Sequence, residues 1–181
     1  LWGYLPLGLM LGGWMGFALL IEHRSRDTPR HWTYFFLSTS AGVLMFLGFP
    51  VISLLPAAMF GFVPLFYIGY QLIQNKSSSA PRVFLWYVYH GLILWNILTT
   101  FWVCNSALLA GMLAFIINSL LMLGPWFIYF IILKKTKNPL FSIWMFILSW
   151  MSYEYLHQQW ELTWSWLVLG NVLADWPWLA T

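Results

Sequence analysis

The amino-acid sequence predicts an all-α membrane protein, a polytopic bundle of about six transmembrane helices that ends in an outward-facing interfacial elbow. Of its 181 residues, 61% are hydrophobic and only 7% are charged, and 14 are tryptophan. Such a composition is typical of an integral membrane protein. Several stretches supply the ~20 apolar residues that a helix needs to cross a hydrocarbon layer of ~30 Å. The alternating apolar and polar residues of an outer-membrane barrel are absent from the sequence.

The predicted crossings follow one another along the whole chain. Proline lacks an N–H and disfavours helix before it, so Pro50 and Pro56 bound a short uncharged turn after the second crossing. Pro64 is expected to bend the third crossing for the same reason. The six crossings are predicted at residues 1–21, 34–49, 57–74, 83–103, 107–133 and 140–157.

The basic residues predict the orientation of the bundle. All eight lysines and arginines fall in three loops, after the first, third and fifth crossings. The positive-inside rule makes these loops cytoplasmic. The turns "PVISLLP" and "CNSA" carry no charge, so they and the segment after residue 157 are predicted to be periplasmic. The cytoplasmic loops are predicted at residues 22–31, 75–82 and 134–138. A net charge of +3 needs no nucleic-acid partner to explain it.

The last segment, residues 158–181, is predicted to lie in the outer interface as an elbow and not to cross again. It combines five tryptophans with two acidic residues and an asparagine. Just before it, Glu154 and His157 share one helical face, the spacing found in di-metal bundles. No second matching pair exists, so neither a metal nor a cofactor is expected. The candidate substrate-lining or elbow residues are Glu154, His157, Trp160, Glu161, Trp164, Trp166 and Asn171.

Polar side chains inside the crossings are predicted to hydrogen-bond between helices, because hydrocarbon offers no partner. Cys104 is the single cysteine, so no internal disulfide is possible, and it is expected to be an inert small residue. The predicted interhelical polar residues are Asn96, Thr99, Thr100, Asn105 and Asn118. The tryptophans predicted to lie in interfacial belts are Trp86, Trp95, Trp102 and Trp126.

Three stretches of the sequence resemble one enzyme family. They are "FLGFPVISLLPAAMFGFVPLFY", "FLWYVYHGLILWNILTTFWVCNSALLAGMLAFIINSLLML" and "SYEYLHQQWELTWSWLVLGN". The patterns WN-x-x-TT-x-W-V-x-N and W-x-W-L-x-L-GN within them are the most specific. They resemble the membrane half of apolipoprotein N-acyltransferases, particularly Bacteroidetes-like forms, over roughly residues 34–181.

The resemblance implies an enzyme of the bacterial inner membrane. Such an enzyme moves an acyl chain from a membrane phospholipid to the free amine of a diacylated apolipoprotein's N-terminal cysteine. Family members do this through a cysteine thioester on a periplasmic nitrilase-like domain, assisted by a glutamate and a lysine. We expect that domain beyond residue 181, so no catalytic residue is assigned here, Cys104 included. A monomer in the lipid bilayer is expected, and the fragment alone should be inactive.

The predicted organisation has three parts. Residues 1–33 form an extra helix and a basic loop, residues 34–157 form a five-helix domain, and residues 158–181 form the elbow. Two other classes stay open: a small multi-helix transporter and a receptor similar to the translocator protein. A transporter usually shows internal repeats and charges at mid-membrane, and the sequence offers only a loose repeat. A scaffold without chemistry is the third alternative.

Overall fold

The computed structural model describes residues 3–25, 30–50, 52–75, 80–161, 163–176 and 178. These residues form eight α-helices and short 3₁₀ segments, without any strand, which confirms the predicted all-α class. The helices are α1 (Leu5–Ser25), α2 (His31–Gly48), α3 (Leu55–Gly61), α4 (Val63–Gln74), α5 (Ala80–Thr100), α6 (Leu108–Leu121), α7 (Leu123–Thr136) and α8 (Pro139–Gln158). The 3₁₀ segments are Phe101–Asn105, Ser165–Leu167 and Leu169–Leu173.

Four helical segments of the described chain are long and apolar enough to cross a membrane. They are Leu5–His23, Leu55–Gln74, Ala80–Asn105 and Leu108–Thr136. Helices α2 and α8 do not reach the same mean hydropathy, because serine, tyrosine and histidine interrupt their apolar residues. With 18 and 20 residues they are nevertheless ~27–30 Å long, enough to span the hydrocarbon layer. The count of six crossings stays a prediction.

Two of these segments are built from two consecutive helices. Phe62 separates α3 from α4, and Pro64 occupies the first turn of α4, where a missing N–H costs no helical hydrogen bond. Met122 separates α6 from α7 in the same way, with Pro125 in the first turn of α7. The helix is therefore interrupted two residues before Pro64, and the bend expected at this proline stays a prediction.

Helix α5 is the centre of the bundle and packs against α1, α2, α4, α6 and α7. Its closest approach is to α2. A Cβ added to Gly91 would lie 2.7 Å from the backbone oxygen of Ser38, and one added to Gly42 would lie 2.6 Å from the backbone oxygen of Gly91. Only glycine lets the two backbones touch, as small residues commonly do at membrane helix crossings.

Aromatic rings fill the core between α4, α5, α7 and α8. The ring of Phe62 lies 4.9–6.1 Å from those of Trp95, Trp126, Phe146 and Trp150, mostly edge to face. This geometry suits the charge distribution of aromatic rings. Trp95 and Trp126 are both 0% exposed. The prediction that these two tryptophans belong to interfacial belts is therefore wrong, since packing against other rings holds them in the core.

The described basic side chains lie at one end of the bundle. Arg30 donates to the side-chain oxygen of Gln71 over 3.3 Å, which joins the start of α2 to the end of α4. Phe84, near the start of α5, stacks on Phe130 near the end of α7, at 4.8 Å between centroids. Lys134 follows one turn later. This grouping is what the positive-inside rule requires, and the assignment of that end to the cytoplasm stays a prediction.

Candidate functional site

The elbow folds back over the opposite end of the bundle. Leu167 is only 2% exposed and packs into the main core. The Trp176 indole donates to the backbone oxygen of Ser53 over 3.3 Å. The Ser53 hydroxyl in turn donates to the Asp175 carboxylate. The elbow thus covers the bundle end to which the turn before α3 and the 3₁₀ segment after α5 also belong.

Glu154 ties α8 to the elbow. Its Oε1 accepts a hydrogen bond from the Trp150 indole at 2.8 Å and another from the backbone N–H of Leu169 at 2.9 Å. Trp150 lies four residues earlier on the same helical face, which is the spacing that brings side chains together. Hydrogen bonds to a carboxylate are stronger than those between neutral groups. The sequence placed Glu154 in this region but did not reveal its two partners.

His157 is held in one tautomer. Its Nδ1 accepts from the Trp160 indole at 2.9 Å, and an indole nitrogen can only donate. Nδ1 therefore carries no proton, and in the neutral ring the proton resides on Nε2. The ring also stacks on Tyr153, at 5.3 Å and 15°. The residue is 7% exposed, and its Nε2 has no hydrogen-bonding partner among the described residues.

The remaining elbow tryptophans differ in how they pack. Trp164 is half-buried, with its ring edge-on to Phe115 of α6 at 5.9 Å. Trp166 is exposed, and its ring meets Trp102 edge-on at 4.9 Å. Trp160, also exposed, contacts the protein mainly through His157. The tryptophans thus attach the elbow to several elements and leave part of their aromatic surface exposed.

Asn171 and Glu161 play different parts in the elbow. The Asn171 amide donates to the backbone oxygens of Ser165 and Trp166, at 2.8 and 3.1 Å, and so fixes the path between the two 3₁₀ segments. Glu161 is exposed and lines a small cavity next to His157. Of the predicted elbow residues, Glu154 and Asn171 therefore shape the backbone, whereas His157 and Glu161 border open space.

A buried polar network joins three helices at the centre of the same half. The Asn118 amide donates to the Asn96 side-chain oxygen at 2.8 Å, and the Tyr153 hydroxyl donates to Asn118 Oδ1 at 3.1 Å. Asn96 and Asn118 are 0% and 3% exposed. The network connects α5, α6 and α8, and Tyr153 was not among the residues predicted for it.

Three other predicted polar residues make no such link in the described chain. Thr100 donates to the backbone oxygen of Asn96 in its own helix, at 2.8 Å. The hydroxyl of Thr99 and the side-chain oxygen of Asn105 are buried without a hydrogen-bonding partner. The structure therefore brings Asn96 and Asn118 together, and leaves Thr99 and Asn105 outside their network.

Substituting Asn118→Ala is expected to lower the free energy of unfolding by about 1–2 kcal/mol, because the Asn96 oxygen and the Tyr153 hydroxyl lose their partner. Denaturant unfolding in detergent, followed by circular dichroism, measures the change. Asn105→Ala is the matched control, since its side-chain oxygen has no partner to lose. Equal effects of the two substitutions would show that the network does not stabilise the fold.

No group of three or more histidine, cysteine, aspartate or glutamate residues suited to a metal ion occurs in the described part of the chain. Cys104 is buried, and its Sγ lies 3.9 Å from the Met10 sulfur of α1.

The helical bundle and its elbow define a polytopic membrane protein. The sequence profile described as the apolipoprotein N-acyltransferase N-terminal domain matches residues 41–181, and the chain belongs to that family. This match confirms the family inferred from the sequence. Residues 1–33 lie outside it, and the proposed division at residues 33 and 157 stays a prediction.

One curated relative is the apolipoprotein N-acyltransferase of Chlorobaculum tepidum. It is 25% identical over 150 residues, which cover 80% of this chain and 26% of the relative. The chain therefore spans about a quarter of that relative's length. No solved structure matches the chain significantly.

Proposed function

We propose that this chain is the membrane portion of an apolipoprotein N-acyltransferase of the bacterial inner membrane. The enzyme would transfer an acyl chain from a phospholipid to the N-terminal amine of diacylglyceryl-cysteine lipoproteins. The family match over residues 41–181 carries the proposal. The name of the relative supplies the lipoprotein as substrate and acyl transfer as the reaction.

The bond chemistry is assigned to a nitrilase-like domain by the family resemblance. A cysteine thiolate there attacks the phospholipid ester, which forms a thioester and releases a lysophospholipid. The lipoprotein amine then attacks the thioester, loses a proton and regenerates the thiol. The present chain contributes positioning, because holding two reactants in a productive geometry removes much of the entropic barrier.

The structure supports the assignment of positioning to this chain and of bond chemistry to a separate domain, because the two ends of the bundle differ. One end carries the described basic side chains, and the other is covered by the tryptophan-rich elbow. With the basic end in the cytoplasm, the elbow faces the periplasm, on the side where the catalytic domain would act. We propose a monomer in which the elbow supports that domain at the membrane surface. The transporter and receptor alternatives gain no support from the family match.

Expression of the full-length protein in cells depleted of their own N-acyltransferase tests the proposed function. The expected result is a reporter lipoprotein that gains a third, amide-linked acyl chain, detected by mass spectrometry of its N-terminal peptide. The 181-residue chain alone is expected to leave the reporter diacylated. A full-length protein of normal abundance that adds no acyl chain would refute the proposal. Activity of the short chain would refute the assignment of chemistry to a separate domain.

A further inference from the structure

A small apolar cavity separates the first helix from part of the bundle. It has a volume of about 280 Å³ and lies between α1, α5 and α6. Helix α1 supplies Gly13 and Phe17 to its wall, α5 supplies Tyr89 and Ile93, and α6 supplies Phe115. None of the described residues that line the cavity is charged. The lining therefore suits a hydrocarbon chain.

The face of α5 that lines the cavity continues to a cation. Phe17 contacts Trp86 and Tyr89 at 5.5 and 5.2 Å between ring centroids, so this face of α5 is turned toward α1. Arg82 precedes Trp86 by four positions and Tyr89 by seven, which keeps it on the same face. It lies ~10 Å from Tyr89 and ~16 Å from Ile93 along the helix axis. These distances match one leaflet, half of a ~30 Å hydrocarbon layer.

A second cation lies at the level of Arg82. Phe84 follows Arg82 by two residues and stacks on Phe130 of α7, and Lys134 follows Phe130 by one turn. Because α5 starts where α7 ends, a rise of ~3 Å to Arg82 and ~6 Å to Lys134 brings both cations to nearly the same depth. Both side chains are exposed and form no ion pair in the described part of the chain.

The carboxylate of α1 leaves Arg82 unpaired. This residue, Glu22, lies five positions after Phe17, ~140° around the helix from the face that lines the cavity. Its negative charge acts instead on the His31 ring at the start of α2. Unpaired lysine and arginine side chains at a membrane surface attract the head groups of anionic lipids. An anion that also carries an acyl chain satisfies both Arg82 and the apolar cavity.

We propose that an anionic glycerophospholipid binds between α1 and α5, with its phosphate at Arg82 and one acyl chain in the cavity beside Gly13. Lys134 adds positive potential at the depth of the head group. The lipid bridges α1 to the bundle, so its binding stabilises the docked position of α1. The inference goes beyond the proposed function. The head group lies at the end opposite the elbow, α1 lies outside the family match, and no acyl transfer is involved.

Comparison of two lipids tests the charge requirement. The full-length protein in detergent is titrated with phosphatidylglycerol and with phosphatidylcholine of the same acyl chains, and bound lipids are counted by native mass spectrometry. Phosphatidylglycerol is expected to bind about fivefold more tightly, because choline brings a positive charge toward Arg82. Equal affinities for the two lipids would overturn the inference.

Arg82→Gln locates the binding site of the head group. The affinity for phosphatidylglycerol is expected to fall about fivefold, which abolishes the preference over phosphatidylcholine. Arg30→Gln is the matched control. It makes the same change at the same end of the bundle, but Arg30 belongs to the start of α2 and already donates to Gln71. Its affinity should remain close to that of the wild type. Equal losses in the two variants would show a diffuse attraction to net charge and contradict the site.

Gly13→Leu fills the cavity from its α1 wall. A Cβ added to Gly13 meets nothing within 4 Å, so the new side chain occupies the cavity without a clash. The affinity for phosphatidylglycerol is expected to fall about tenfold, because leucine displaces methylene groups of the acyl chain. Gly12→Leu is the matched control, since Gly12 is equally unobstructed but does not line the cavity. An unchanged affinity in Gly13→Leu would refute the placement of the acyl chain.

Inorganic phosphate distinguishes a lipid site from a site for a soluble anion. An excess of phosphate should not displace phosphatidylglycerol, because phosphate lacks the acyl chain that the cavity holds. Displacement would exclude a lipid as the preferred occupant.

Amide hydrogen exchange of Leu5–Ser25 tests the bridge to α1. Addition of phosphatidylglycerol is expected to slow exchange in this helix about fivefold in the wild type, and to have no such effect in Arg82→Gln. Lipid binding that leaves the exchange of α1 unchanged would show that the lipid does not hold this helix.

Discussion

Replacing Gly91 with leucine is expected to lower the free energy of unfolding by about 3 kcal/mol or to prevent folding altogether. A Cβ at this position would lie 2.7 Å from the backbone oxygen of Ser38, and backbone cannot move aside as the end of a side chain can. Overpacking of a dense interior typically costs ~1–3 kcal/mol, and contact with backbone places this case at the upper limit. The loss is measured by denaturant unfolding in detergent and by the fraction of protein that elutes as a single species.

Gly12→Leu is the control for this substitution. It makes the same chemical change in a membrane helix, but nothing lies within 4 Å of the added Cβ. Its unfolding midpoint should match that of the wild-type protein. If Gly91→Leu were equally harmless, α2 and α5 would not cross with their backbones in contact, and the description of the core would have to change.

Replacing Glu154 with alanine is expected to release the elbow from α8. The substitution removes the acceptor of both the Trp150 indole and the Leu169 amide. Hydrogen bonds to charged groups contribute ~1.5–3 kcal/mol, and the half-buried setting of this carboxylate argues for about 2 kcal/mol in total. Amide hydrogen exchange of residues 163–176 should therefore accelerate by roughly 30-fold. In the full-length protein, the proposed acylation of a reporter lipoprotein is expected to decline at unchanged protein abundance.

Two further variants, Glu154→Gln and Glu22→Ala, test whether faster exchange of the elbow results from the loss of the Glu154 hydrogen bonds. Glutamine retains a carbonyl oxygen that can accept from the same donors, so exchange in this variant should be intermediate between alanine and wild type. Glu22 lies at the opposite end of the bundle, so its replacement should leave exchange of the elbow unchanged. Slow exchange and normal acylation in Glu154→Ala would show that the elbow is held by other contacts.

The helical fold could be predicted from the sequence because each crossing is a local property of the chain. A run of apolar residues determines where a helix spans, and prolines such as Pro64 determine where it breaks. The grouping of basic residues also follows from the order of the crossings alone. None of these inferences requires knowledge of which helices touch.

The contacts within the candidate site could not be predicted, because they depend on how distant segments meet. Trp95 and Trp126 have the composition of interfacial residues, and only the packing of α4, α5, α7 and α8 places them in the core. The partner of Glu154 at Leu169 is a backbone amide, which leaves no mark in the sequence. The spacing of Trp150 and Glu154, in contrast, was a usable signal, since residues four apart share a helix face.

The contacts by which Ser53 closes the elbow-covered end of the bundle have a consequence for the order of biosynthesis. Its partners Asp175 and Trp176 follow it by 122 and 123 residues. Membrane helices insert while the ribosome is still extending the chain, and a contact forms only after both partners have been made. The backbone oxygen of Ser53, in the turn before α3, therefore has no partner in the elbow until α8 and the elbow have been synthesised. A ribosome stalled before the codon for Asp175 would leave a nascent bundle whose elbow end is still uncapped and open to chaperones or proteases.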